Sequence, residues 1–242
     1  MTTTKVALVI GAGDSTGGAI AARFAREGFT ACVTRRAVDK LAPLVERIER
    51  EGGEARPFGS DARKEEEMVK LVDEIESTVG PIEVAVFNIG ANVRFPIREM
   101  TSRVYFKVWE MACFGGFLMG REVAKRMVPR GRGTILFTGA TASVRGGIGY
   151  SAFAGAKHAL RALAQSMARE LGPEGIHVAH VIIDGAIDTE WIAQNFPGSA
   201  ELKPKDGLLD PEAIAENYWR LHTQPRNAWT HELDLRPWIE KW

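Results

Sequence analysis

The chain has 242 residues, 45% of them hydrophobic and 26% charged, and its 31 lysines and arginines balance 31 aspartates and glutamates. That suits one well-buried α/β domain, or at most two small ones, and gives no basic track for nucleic acid, since Arg121, Lys125, Arg126, Arg130 and Arg132 read as a solvated helix face. No run is apolar enough to cross a bilayer and no signal peptide precedes the first strand, so a cytoplasmic location is expected, and Cys32 and Cys113, without metal-ligand spacing, read as buried small hydrophobes.

Residues 5–10 are a β-branched apolar run that predicts a buried strand, and Ile20, Ala21, Phe24 and Ala25 recur at helical spacing after Gly17. Between them Gly11, Gly13 and Gly17 make a tight turn. Bare backbone and the free N–H groups of a helix start favour an anion there, the natural one being a pyrophosphate. The pattern G-x-G-x-x-x-G is one residue longer than the usual dinucleotide fingerprint. Strand and helix patterns then alternate without linker or repeat: strand 29–34, helix 41–51, strand 54–58, helix 65–78 and a very apolar strand 82–87. Residues 101–127 read as one long helix or two, 134–138 as a fifth strand, 150–171 as a helix and 177–183 as a sixth strand. Such alternation with apolar strands implies a parallel sheet covered on both faces, with ligands at the carboxyl ends of the strands. The expected fold is therefore a single-domain, Rossmann-like, doubly wound sheet of about seven strands.

The ends of strands three and four, Ser60-Asp61-Ala62 and Asn88-Ile89-Gly90, point into the same crevice as the glycine turn. With these in hand the chain resembles the short-chain dehydrogenase/reductase family from about Lys5 to Thr189. Ile10, Gly11, Ser15 and Gly17 hold the places of its T-G-x-x-x-G-x-G, with Ser15 at the middle glycine and Thr16 beside it. The resemblance implies that Asp61, with Ala62, meets the adenine, that Asn88-Ile89-Gly90 matches the last three residues of N-N-A-G, and that Lys157 lies on the catalytic helix and holds the nicotinamide ribose. It further implies that Asp184-Gly185 with Thr189 is the P-G-x-x-x-T whose threonine holds the nicotinamide amide. A homodimer or homotetramer paired through the long helix and the catalytic helix follows from the same resemblance.

The second strand ends Thr34-Arg35-Arg36, where a member preferring NAD would carry a carboxylate for the ribose hydroxyls. Two guanidinium groups beside a hydroxyl suit a 2′-phosphate, so NADP(H) is the expected cofactor, with NAD(H) the alternative. Against it, Asp14 stands where phosphate-preferring members often carry a base.

Family members reduce carbonyls with a tyrosine proton donor, a serine, a lysine and an asparagine, because hydride arriving on carbon leaves an alkoxide to be bonded and protonated. Here Phe153 stands for the tyrosine, Ala140 for the serine and Ala112 for the asparagine; only Lys157 survives. Tyr150 precedes Lys157 by seven residues, about two helical turns, so the two share a helix face if the helix starts by Tyr150. That spacing is similar to the enoyl reductase branch of the superfamily, whose tyrosine bonds a conjugated carbonyl while hydride goes to the β-carbon. Thr138, Thr141 and Ser143 are fallback donors. Residues 187–209, with Trp191, Ile192 and Phe196 among polar residues, read as a substrate lid, and Asp210-Pro211-Glu212 as a helix start. The tail contains a seventh strand within 229–235; Trp229, Trp238 and Trp242 with Leu233 and Leu235 read as a compact apolar terminus at the core or a subunit interface, and His231 as structural. Two functions compete: an NADP(H)-dependent reductase of a small-molecule carbonyl or enoyl group with a replaced proton donor, and a catalytically silent dinucleotide-binding or scaffold protein. Non-redox reuse of the pocket is a weaker third.

Overall fold

The computed structural model describes residues 4–241. Its strands are β1 (Lys5–Ile10), β2 (Phe29–Arg35), β3 (Glu54–Gly59), β4 (Ile82–Phe87), β5 (Gly133–Thr138), β6 (Ile176–Ile183) and β7 (Glu232–Leu235). They form one sheet in the order β3-β2-β1-β4-β5-β6-β7, with every neighbouring pair parallel. The helices are α1 (Thr16–Arg26), α2 (Ala42–Arg50), α3 (Glu65–Thr78), α4 (Ser102–Trp109), α5 (Gly115–Met127), α6 (Ser151–Leu171), α7 (Glu190–Asn195), α8 (Ser199–Leu202) and α9 (Pro211–His222).

The two-residue period of the strands divides the core. Ala7 and Val9 of β1 join the layer made by α1, α2 and α9, while Val6, Leu8 and Ile10 join the layer made by α3, α5 and α6. Because both faces are covered, the central strands are buried along nearly their whole length and mostly apolar, with Thr30, Glu83, Thr134, His177 and His180 among their buried polar residues. The edge strand β3 is the exception: Arg56 and Pro57 are exposed, as an edge without a partner on one side permits. Successive connections run outward from β1 in one direction and from β4 in the other, so a crevice opens between the carboxyl ends of those two strands.

Both readings of residues 101–127 hold a part of the truth. Two α-helices are joined without a break by one π-helical turn, Glu110–Phe114, which carries the buried Ala112 and Cys113. The basic face on and after α5 is not simply solvated. Arg121 pairs with Glu65 and Glu122, Lys125 with Glu122, Arg126 with Asp73, Arg130 with Glu76 and Arg132 with Glu83, which ties α5 and the turn after it to α3 and β4.

The tail departs from the compact terminus expected of it. Trp229 stacks on His177 with ring centroids 4.8 Å apart, and Leu233 and Leu235 pack on the core, but Trp238 is 78% exposed and only its indole N–H is engaged, donating to the Lys205 carbonyl at 2.9 Å. Trp242 lies outside the described residues. His231 is structural as read, its Nδ1 lying 3.2 Å from the Val178 carbonyl oxygen. Asp210 caps α9, its Oδ1 accepting from the Glu212 N–H at 3.1 Å with Pro211 in the first turn. Among the described residues no helix is long and apolar enough to cross a membrane.

Candidate active site

The crevice opens into a cavity of about 1010 Å³ running from the glycine turn, past the ends of β4 and β5, to the lid. At its inner end Gly11 adopts φ +85°, and a side chain at Gly17 would begin 2.5 Å from the Gly11 carbonyl oxygen and 2.9 Å from Asn88 Nδ2. Only glycine permits that approach of helix start to turn. Asn88 locks the turn from β4, donating from Nδ2 to the Gly11 oxygen at 3.2 Å, and the Gly11 N–H points at Thr34 Oγ1, 3.4 Å away, from β2. The result is a fixed anion cradle. Backbone at Gly13 and Gly90 faces the cavity with nothing within 4 Å of where a side chain would begin, and Ser15 sits at the start of α1 without spending its hydroxyl on a cap. A pyrophosphate fits these bare N–H groups and the positive end of α1.

Of the residues expected at a cofactor site, Gly11, Gly13, Ser15, Thr16, Gly17, Asn88, Ile89, Gly90, Lys157, Gly185 and Thr189 line this one cavity. Thr34, Arg35, Arg36, Asp61 and Ala62 do not; they continue along the carboxyl ends of β2 and β3. There Arg35 donates to the Lys40 carbonyl at 3.3 Å and lies 3.7 Å from Asp14, which ties the second strand's guanidinium to the glycine turn. Arg36 is exposed. Asp61 is gripped by the Arg63 guanidinium, a pairing not foreseen, and this holds its carboxyl down at about 2.

Lys157 is 2% exposed, and Nζ donates to the Ile89 carbonyl at 3.1 Å and to the Thr138 carbonyl at 2.7 Å. An ammonium has three donors, so one remains for a ligand. Burial pushes its pKa down to about 8, and pushes the neighbouring Cys113 thiol up to about 11.

Residues 5–199 match the short chain dehydrogenase family. The chain belongs to that family. Among similar proteins, the 7alpha-hydroxysteroid dehydrogenase of Escherichia coli K12 is 31% identical over 216 residues, 87% of this chain and 84% of that one. The A-factor type gamma-butyrolactone 1'-reductase (1S-forming) of Streptomyces virginiae is 31% identical over 226 residues, 88% and 86% of the two chains. A crystal structure of a short-chain dehydrogenase from Rhodopseudomonas palustris is 49% identical, covers 97% of this chain and 99% of its own, and superposes with a TM-score of 0.83. An alcohol dehydrogenase from Thermococcus sibiricus, solved in complex with 5-hydroxy-NADP, is 27% identical, covers 98% of both chains and has a TM-score of 0.85.

Beyond Lys157 the cavity wall is largely apolar. Phe153 and Ala140 line it and offer no proton, and Ala112 lies buried in the π-helical turn. The hydroxyls at and after the end of β5 all have partners in the protein: Thr138 Oγ1 meets Tyr218 Oη at 2.7 Å, Thr141 Oγ1 donates to Asp184, and Ser143 Oγ accepts from the Ala140 N–H at 3.1 Å. Tyr150 also lines the cavity. It sits one residue before α6, and among the described residues its hydroxyl makes no hydrogen bond, while its ring faces the Arg94 guanidinium at 5.9 Å. Residues of 187–209, the segment expected to be a lid, line the far end with Trp191 and Phe196, whose rings meet edge to face at 5.7 Å; Thr189 caps α7, accepting from the Ile192 N–H at 3.1 Å. One lining residue, Arg145, escaped the sequence reading; the signal was a lone charge before the Gly146-Gly147 pair in the loop after β5.

Proposed function

We propose that this short-chain dehydrogenase is an NADP(H)-dependent oxidoreductase that reduces a carbonyl or an activated, enoyl-type double bond, with Tyr150 as the hydrogen-bond donor in place of the missing tyrosine and serine. The observation that carries this is the convergence of the glycine turn, Lys157 and the uncommitted Tyr150 hydroxyl on one cavity. The dinucleotide supplies the hydride. The glycine turn and the start of α1 hold its pyrophosphate, the third donor of Lys157 its ribose, Asp61 and Ala62 the adenine side, and Thr189 with Gly185 the amide end. Arg35 and Arg36 support a 2′-phosphate, because a 2′-phosphate gains from the fork of guanidinium donors that a ribose hydroxyl cannot fully use. When hydride reaches the substrate, negative charge develops on the carbonyl oxygen, and the Tyr150 hydroxyl stabilises it in a cavity lined also by Phe153, Trp191 and Phe196. An enolate needs a donor more than an immediate proton, which favours the enoyl chemistry for a site in which Tyr150 replaces both the tyrosine and the serine.

The test is oxidation of NADPH against a panel of carbonyl and enoyl substrates, by the wild type and by Tyr150→Phe. The variant should keep NADPH affinity and lose roughly a hundredfold in kcat; equal rates would remove Tyr150 from the mechanism. The second reading, a silent dinucleotide-binding or scaffold protein, is favoured by the emptied positions Phe153, Ala140 and Ala112, and tight NADPH binding without turnover of any substrate would select it. A homodimer or homotetramer completes the proposal. It is supported by a stacked ladder of Phe106, Trp109, Phe114 and Phe117 along α4 and α5, with centroids 5.7 to 6.0 Å apart and Phe106 56% exposed.

A further inference from the structure

Two charged side chains line the cavity among the described residues, Lys157 and Arg145, and both are cations. Lys157 is buried on backbone carbonyls at the cofactor end, whereas Arg145 has 44% of its side chain exposed and lies on the loop that leads to Tyr150. We propose that Arg145 binds a carboxylate of the substrate, so that this enzyme acts on apolar carboxylic acids carrying a carbonyl or a conjugated double bond. The inference rests on the oxidoreductase reading above and adds the substrate class to it.

Three features of the site support the assignment. First, the guanidinium is held but not consumed. Asp184 stands 3.6 Å away and Glu240 3.9 Å away, both beyond hydrogen-bonding distance. Asp184 has other partners, accepting from the Thr141 hydroxyl and facing Arg236 at 3.5 Å. The two acids therefore keep Arg145 in place electrostatically while its N–H fork, which matches a carboxylate in two parallel bonds, stays available. Second, among the described residues no acidic side chain lines the cavity to repel an anion. Third, Arg145 and the donor share one stretch of bare backbone: Gly146, with nothing within 4 Å of where a side chain would begin, follows Arg145, and the Tyr150 ring lies against Gly147, 3.2 Å from where its Cβ would be. A substrate anchored by its carboxylate at Arg145 would lie along bare backbone with its carbon skeleton against Phe153, Trp191 and Phe196. That arrangement sets an apolar body between one charged end and the Tyr150 hydroxyl.

The experiment compares aryl and medium-chain 2-oxo, 3-oxo and 2-enoic acids with their methyl esters, using the wild type, Arg145→Gln and Arg145→Lys, each first titrated with NADPH by fluorescence. The wild type should prefer acids. Arg145→Gln should lose roughly thirtyfold in kcat/KM on acids, chiefly through KM, and little on esters, with partial recovery in Arg145→Lys and unchanged NADPH affinity in both. Equal use of acids and esters by the wild type, or an equal loss on both in Arg145→Gln, would overturn the assignment while leaving the oxidoreductase reading intact. If nothing turns over, calorimetric binding of the same acids and esters to the protein with NADPH decides: acid binding lost in Arg145→Gln supports it, and no preference for acids overturns it. A wild type that binds no NADPH would instead overturn the oxidoreductase reading and the inference with it.

Discussion

In the proposed function, the arginines at the end of β2 carry the preference for NADP(H). Arg35 is partly held, by the Lys40 carbonyl and by Asp14, and Arg36 is exposed, so a 2′-phosphate arriving there exchanges one weak surface pair for a doubly charged acceptor. Replacing Arg36 by alanine should weaken NADPH about tenfold and leave NADH unchanged; fluorescence titration of both nucleotides reads the ratio, and a parallel loss for both would assign Arg36 to general attraction of anions. The position of Arg35 and Arg36 at the end of β2, beside the glycine turn, was legible in the sequence, because strand ends and glycine spacing are local signals. The pairing of Asp61 with Arg63 and the commitment of Thr138 to Tyr218 were not. The first depends on side-chain direction at a turn, and the second joins residues 80 apart in the chain.

At the scale of elements, α9 reaches the catalytic end through one buried hydrogen bond. Tyr218, fully buried on α9, meets Thr138 Oγ1 at 2.7 Å, and the carbonyl of the same threonine accepts from Lys157 Nζ at 2.7 Å. Burial pushes the Tyr218 phenol up, so it stays neutral. Tyr218→Phe strands the Thr138 hydroxyl in the core and should cost about 1–3 kcal/mol, while the double change with Thr138→Val should cost less than the two single changes added together. Urea midpoints of the four proteins measure that coupling, and strict additivity would deny it. Outside residues 187–209, where α7 and α8 were not foreseen, the order of strands and helices was legible, with α3 and β4 met at both ends, because apolar periodicity is strong where both faces of a sheet are covered. The π-helical turn was not, since a single inserted residue leaves the apolar spacing of residues 101–127 nearly unchanged. The exposed Trp238 also lay beyond composition, which counts an indole as core material whether or not the chain turns it inward.

Across the whole molecule, three histidines are buried as neutral groups, and their titration sets how stability responds to acid. His180 lies on β6 facing Glu232, with Lys157 and Arg161 also near; burial pushes its pKa down to about 4. His222, at the end of α9, packs against Phe24, Phe29 and Trp219 with Glu83, Lys5 and His177 around it, and is pushed to about 4 as well; His177 moves the same way. In the unfolded chain an imidazole takes its proton near pH 6.5 (about). Between that value and about 4, the unfolded state therefore binds more protons than the folded one, and the free energy of unfolding falls as pH falls. Above pH 6.5 or so both states are neutral at these sites and the effect vanishes. The full span is worth up to about 3 kcal/mol for each of the two strongly shifted histidines, a large part of a typical domain's stability. Carboxylates such as Asp61, held at about 2, lose their contribution only at lower pH, so the two effects separate along the pH axis. Thermal midpoints taken from pH 7.5 to pH 4.5 should decline steadily below about 6.5, and His222→Phe, which keeps the ring contacts without the titrating nitrogen, should flatten the decline. A midpoint constant over that window would mean that these imidazoles accept protons in the folded protein as readily as in the unfolded chain.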